Sequence, residues 1–135
     1  MQVFVLSCKW VDQFCSGADP QGRFEDIKKV DDKSMSKLIS CDVVAKTSLT
    51  LNNQQYVVYY DVEAANKGLP NSVVRSDDGM GLFGTIVLVQ NEGDVSVSMD
   101  EQHQYPLRSV FGLLEESHQV NYHRCFSICG LQSQL

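Results

Sequence analysis

Two stretches dominate the hydrophobic pattern of this chain. Residues 54–60 read QQYVVYY and residues 82–90 read LFGTIVLVQ, the strongest strand signals present. Between them lie Gly68-Leu69-Pro70-Asn71 and Asp77-Asp78-Gly79-Met80-Gly81. The pattern predicts two core strands that hold a glycine-punctuated loop region between them. The second is apolar nearly throughout, as expected of a strand buried on both faces, with Gly84 where a backbone or ligand approaches closely.

The rest of the chain is organised around that span. Residues 2–7 alternate weakly and are rich in Val and Phe, which predicts a first strand. Residues 8–23 show no clean period and carry Gly17, Pro20 and Gly22, so they read as a long loop or pair of turns, with Trp10 and Phe14 folding back over the sheet. A second strand is expected over 24–30. Asp31 and Asp32 offer an N-cap to a short amphipathic helix over 33–40, in which Met35, Leu38 and Ile39 share one face.

Residues 42–51 form a strand, and Asn52-Asn53 turns it into 54–60 as a hairpin, since both asparagines tolerate left-handed backbone. Asp61 caps a helical turn through Lys67, stopped by Gly68, and Pro70 forces Leu69 to be extended. Residues 71–75 are a short extended piece and 77–79 a turn. After 82–90 come a turn over 91–94, a short strand over 95–98, and a helix over 99–104 capped by Ser98 and ended by Pro106. A further helix is expected over 107–116. Residues 120–128 alternate as a strand with one polar face.

The predicted fold class is α+β: a mainly antiparallel sheet of five to six strands with two to three helices on one face. Length agrees, because 135 residues suffice for one domain with a real core and no metal or disulfide staple. The single domain spans 1–135, with 107–135 as a C-terminal extension. No apolar run approaches the ~18–20 residues that span a bilayer, and the N-terminus lacks the basic region of a signal peptide. A cytoplasmic protein is expected, in which the five cysteines (Cys8, Cys15, Cys41, Cys125, Cys129) stay reduced.

A net charge of −6 argues against a general nucleic-acid binder, which needs a basic footprint. Catalytic signatures are missing too. His123, Cys125 and Cys129 lie close in sequence, but Cys-x3-Cys on an alternating strand does not wrap a zinc ion, and no local signature surrounds any Cys-His pairing. Neither a metal nor a cofactor is expected. Gly79-Met80-Gly81-Leu82-Phe83-Gly84 has the bare form Gly-x-Gly-x-x-Gly, yet it precedes a strand, where a dinucleotide site would follow one and open a helix. Arg75, the one basic residue between Lys67 and Arg108, gives this region an anion-holding candidate beside the amides released by Gly79 and Gly81. The candidate ligand-binding set is Gly68, Asn71, Arg75, Gly79, Gly81 and Gly84. Trp10 and Tyr59 form the candidate partner-binding patch, because exposed aromatics dominate interface hot spots.

Leu38-Ile39, Tyr59-Tyr60-Asp61, Gly68-Leu69-Pro70-Asn71, Phe83-Gly84-Thr85-Ile86-Val87 and the acidic Met99-Asp100-Glu101-Gln102 together resemble a family of small uncharacterised proteins, a domain of unknown function found in phages, prophages and plasmids of Gram-positive bacteria. The resemblance covers about half the chain. The 8–23 insertion and the 107–135 extension depart from it. It implies a mobile-element accessory gene with no catalytic residue to carry over. Two functions from different classes follow as expectations: a non-enzymatic accessory or anti-defence protein that binds a host protein, or a small-molecule binder that sequesters a nucleotide-like signalling ligand. Either is compatible with a homo-oligomer and needs no membrane.

Overall fold

The computed structural model describes residues 1–10, 18–51, 53–75, 81–99, 107 and 126–128. Its strands are β1 (Gln2–Trp10), β2 (Ala18–Asp26), β3 (Val44–Leu51), β4 (Gln54–Asp61), β5 (Asn71–Arg75), β6 (Gly81–Phe83), β7 (Ile86–Glu92), β8 (Val95–Val97) and β9 (Phe126–Ile128). The helix α1 (Asp32–Ile39) lies between β2 and β3. The main sheet runs β2-β1-β7-β4-β3, with β8 pairing on β7, and every pairing in it is antiparallel. A smaller sheet runs β6-β5-β9, where β5 and β9 are parallel.

The two framing strands are β4 and β7, neighbours at the centre of the main sheet. Strand alternation sends their side chains to opposite faces, and both faces are covered. One face carries Phe4, Leu6, Tyr56, Val58, Ile86 and Leu88, packed with Val73 and Leu82 of the smaller sheet. The other carries Val3, Val5, Tyr59, Val87 and Val89, packed with Met35 and Ile39 of α1. This three-layer arrangement explains why 86–89 reads as an unbroken apolar run: all four residues are buried, and so is the polar Gln90 that follows.

Several expectations are corrected. The 8–23 segment is no long loop, because β1 continues to Trp10 and β2 begins at Ala18, paired from Gln2↔Asp26 to Trp10↔Ala18. The polar, proline-containing sequence of β2 hid this, and as an edge strand it needs few apolar residues. The 82–90 strand is two strands. Gly84 adopts φ +70 and breaks it, so that β6 joins the smaller sheet and β7 the main one. Two to three helices were expected on one face, and the described residues hold one. Residues 62–68 form successive turns and not a helix, although Asp61 Oδ1 does accept from the Glu63 amide at 2.9 Å and Gly68 does take φ +76. Ser98 Oγ accepts from the Gln2 amide at 2.9 Å, tying β8 to β1. The expected turn over 77–79, most of the helices over 99–104 and 107–116, and residues 120–125 lie outside the described residues.

Other elements form as their residues dictate. Asp31 caps α1 by accepting from the Ser34 amide at 2.8 Å, and Ser40 closes it in the left-handed conformation. The β3-β4 hairpin turns at Asn53 with φ 64, which asparagine tolerates. Among the described residues no helix is long and apolar enough to cross a membrane, which says nothing of a β-barrel.

Candidate functional site

At one end of the main sheet β4 departs at Asp61 and β7 enters after Gly84 and Thr85. A cleft of about 350 Å³ opens there. It is lined by Cys8 from β1, Ile39 and Ser40 from the C-terminal end of α1, Asp61, Ala64, Lys67 and Leu69 from the turn that follows β4, and Gly84 and Thr85. The lining is mostly apolar. Its charged feature is an ion pair, Lys67 Nζ to Asp61 Oδ2 at 2.5 Å, in which the carboxylate is buried and the ammonium half-exposed. The hydrogen bond from Lys67 to Asp61 holds the ammonium above its usual pKa, despite some desolvation that works the other way.

The turn that carries Lys67 is fixed from both sides. Trp10 Nε1 donates to the Gly68 carbonyl at 2.6 Å, so the end of β1 clamps the turn. Cys8 Sγ donates to the Asn71 carbonyl at 3.4 Å, clamping the start of β5. Leu69 Cδ1 stands 2.8 Å from where a β-carbon on Gly84 would sit, so that side chain lies directly over the glycine. Cys41 lies near the pair as well; burial pushes its thiol pKa up, reinforced by the Asp61 charge, which makes it a weak nucleophile.

Of the candidate ligand-binding residues, the structure brings Gly84 to the cleft and puts Gly68 and Asn71 beside residues that line it. Gly81 begins β6, Arg75 ends β5 and Gly79 lies outside the described residues. The backbone amides of Gly68 and Gly84, two of the candidate ligand-binding residues, are not available to an anion, while the cradle expected at Gly79 and Gly81 falls partly outside the described residues. The Gly68 amide donates to the Ala65 carbonyl at 3.1 Å and the Gly84 amide to the Pro70 carbonyl at 2.8 Å. Chain closure at these turns consumes the donors that an anion would need.

Tyr59 is corrected as a partner-binding residue. It is only 7% exposed, in the core beneath α1. Trp10 shares its sheet face with Phe4 and Leu6, the face opposite Tyr59, so the two cannot form one patch.

Exposed apolar side chains do exist, elsewhere. Val43, Val62, Leu69 and Val95 are the large ones among the described residues. Val44 pairs with Asp61, so Val43 and Val62 are the next residues on two neighbouring strand ends; Leu69 lines the cleft, whose lining includes neither valine. Sequence reasoning passed over this group, together with Cys8, Asp61 and Lys67 as cleft residues. An apolar residue just outside each strand end was the available signal.

Among the described residues no group of three or more His, Cys, Asp or Glu side chains is placed to hold a metal ion. Ile39, Asp61, Leu69, Gly84 and Thr85, far apart in the chain, converge on the cleft. Comparison of the chain with protein-family models, with curated proteins and with solved structures found no match in any of the three.

Proposed function

We propose that this protein is a non-enzymatic binding protein whose partner is another protein, docked over the cleft at the Asp61 end of the main sheet. The observation that carries this reading is the exposed Leu69 in the lining of the cleft, with the exposed Val62 next in the chain to the lining residue Asp61 and the exposed Val43 next to Val44, which pairs with Asp61. Large aliphatic side chains gathered at a cleft mark an interaction surface more often than singly scattered ones do. A partner side chain entering the cleft would bury apolar surface against Ile39, Ala64 and Leu69, and desolvated pockets of this kind concentrate binding energy at an interface centre. The resemblance to a phage, prophage and plasmid family supplies the setting, an accessory or anti-defence protein that acts on a host component in the cytoplasm.

The small-molecule reading keeps one supporting observation. The cleft volume lies at the lower end of the range of ligand pockets, and its apolar lining with one polar pair suits a ligand with an apolar body. A nucleotide-like ligand fits less well, with the Gly68 and Gly84 amides spent.

Affinity capture from the cell that carries the gene tests the proposal. The full-length protein is compared with Val62→Asp and with Val95→Asp, a valine more open to solvent but on β8. A stoichiometric partner lost with Val62→Asp and kept with Val95→Asp supports the reading. Equal retention by both variants contradicts it.

A further inference from the structure

The lining of the cleft restricts what can enter it. Ile39 and Ala64 are buried there and Leu69 is open to solvent, and these three supply apolar surface. Among the described residues of the lining, the charged groups are Asp61 and Lys67, which pair with one another, so their charges cancel. The Asp42 charge acts on the same ammonium, which leaves an anion little to gain from Lys67. A cation finds the Asp61 carboxylate only 5% exposed and already holding Lys67 and the Glu63 amide. Either ion would give up its water without a free opposite charge in return. The group that suits the cleft is neutral.

Size and the Lys67 side chain narrow the choice further. A cavity of about 150 Å³ takes a benzene-sized molecule, and this cleft, at about 350 Å³, has room for a larger ring system. Lys67 is half-exposed. An aliphatic group laid against it would strip water from the ammonium and return nothing, whereas the negative face of an aromatic ring attracts it, indole most strongly. Ser40 and Thr85 add hydroxyl oxygens to the lining, and these accept from a ring N–H. We infer that the partner presents a tryptophan, whose indole enters the cleft with its ring against Lys67 and the apolar lining and its N–H toward the Ser40 or Thr85 hydroxyl. This rests on the protein-binding reading above. Tryptophan in a desolvated pocket is also among the side chains that most often dominate interface energy.

Amide chemical shifts of the isotope-labelled full-length protein, titrated with two neutral probes, test the inference. The probes are N-acetyl-tryptophanamide and N-acetyl-cyclohexylalaninamide, which is bulky and apolar but has neither a π face nor a ring N–H. The first is expected to shift the amides of Ile39, Ala64, Leu69 and Thr85 saturably. It should bind about fivefold tighter than the second, the scale of one partly exposed cation–π contact. The double variant Lys67→Met/Asp61→Asn, which removes both charges together and is checked for an unchanged spectrum when free, should lose most of that preference. Lys67→Arg should keep it, because a guanidinium also stacks on aromatic faces. The comparison of probes on the unaltered protein needs no variant and stands even where the double substitution does not fold. Equal binding of the two probes overturns the tryptophan inference and leaves apolar docking standing. No shift at those amides with either probe, or the full preference retained by the folded double variant, also overturns the inference. Failure of the docking reading itself is read separately, from capture by the Val62→Asp variant.

Discussion

Gly84 shows how much one backbone angle decides. At φ +70 it releases the chain from the smaller sheet into the main one, and its amide and carbonyl are both taken, by the Pro70 carbonyl and the Ser72 hydroxyl. Gly84→Ala is expected to cost about 1–2 kcal/mol from the left-handed conformation alone. The added methyl also has to displace Leu69, whose flexible end can yield toward solvent. Chemical denaturation measures the loss. Tyr56 predicts the opposite sign. Its ring is buried against the smaller sheet, its hydroxyl finds no partner among the described residues, and burial pushes its pKa up. Tyr56→Phe removes that unpaired group and should raise stability by about 1 kcal/mol on the same denaturation curves. Gln90, paired with Tyr56 across β4 and β7, carries the same burden with both of its amide atoms unpartnered among the described residues.

At the level of elements, α1 displays the agreement of local and tertiary signals. Its cap, its Met35-Ile39 face and its left-handed stop are all visible in the sequence and all form. The cap also fixes a pH dependence. The Ser34 amide, and then the Ser34 side chain, hold the Asp31 carboxyl below its ordinary 3.8, so the folded value lies below the unfolded one. The stabilisation is therefore complete above that ordinary value and is lost as pH falls through the folded one. Asp31→Asn retains a capping oxygen without the charge. The stability difference between wild type and this variant should be constant near neutrality and close at acidic pH, as followed by thermal unfolding at a series of pH values. The β3-β4 hairpin and the short β5 were equally legible, from β-branched runs bounded by Asn53 and Pro70. The β1-β2 hairpin was not. Its second strand carries Pro20, Gly22 and Arg23 and shows no alternation, because packing there is done by the partner strand: the Phe4 ring lies over Gly22 and tilts against Phe24 at 5.0 Å between centroids. A glycine covered by a neighbour's aromatic ring leaves no apolar mark of its own. The break at Gly84 was hidden for the converse reason, since Leu82 and Ile86 are both buried on the same face and the apolar run continues across the break.

For the whole molecule, the three layers leave one end of the main sheet open. The cleft there draws on residues from β1 to Thr85, far apart in the chain and adjacent only after folding. Sequence could point to the 68–84 span, but it could not show that Gly68 and Gly84 had spent their amides, that Tyr59 faced the helix, or that Asp61 and Lys67 lined the cleft. Each of these depends on sheet register, which a local pattern does not encode. The central claim is that this end of the sheet is the contact surface. Its most direct test is a photo-crosslinking amino acid placed singly at positions 43, 62 and 95 of the full-length protein, irradiated inside the cell that carries the gene. The account predicts one discrete crosslinked species from positions 43 and 62 and none from position 95. A crosslink from position 95 alone, or none from either valine at the Asp61 end of the sheet, would contradict it.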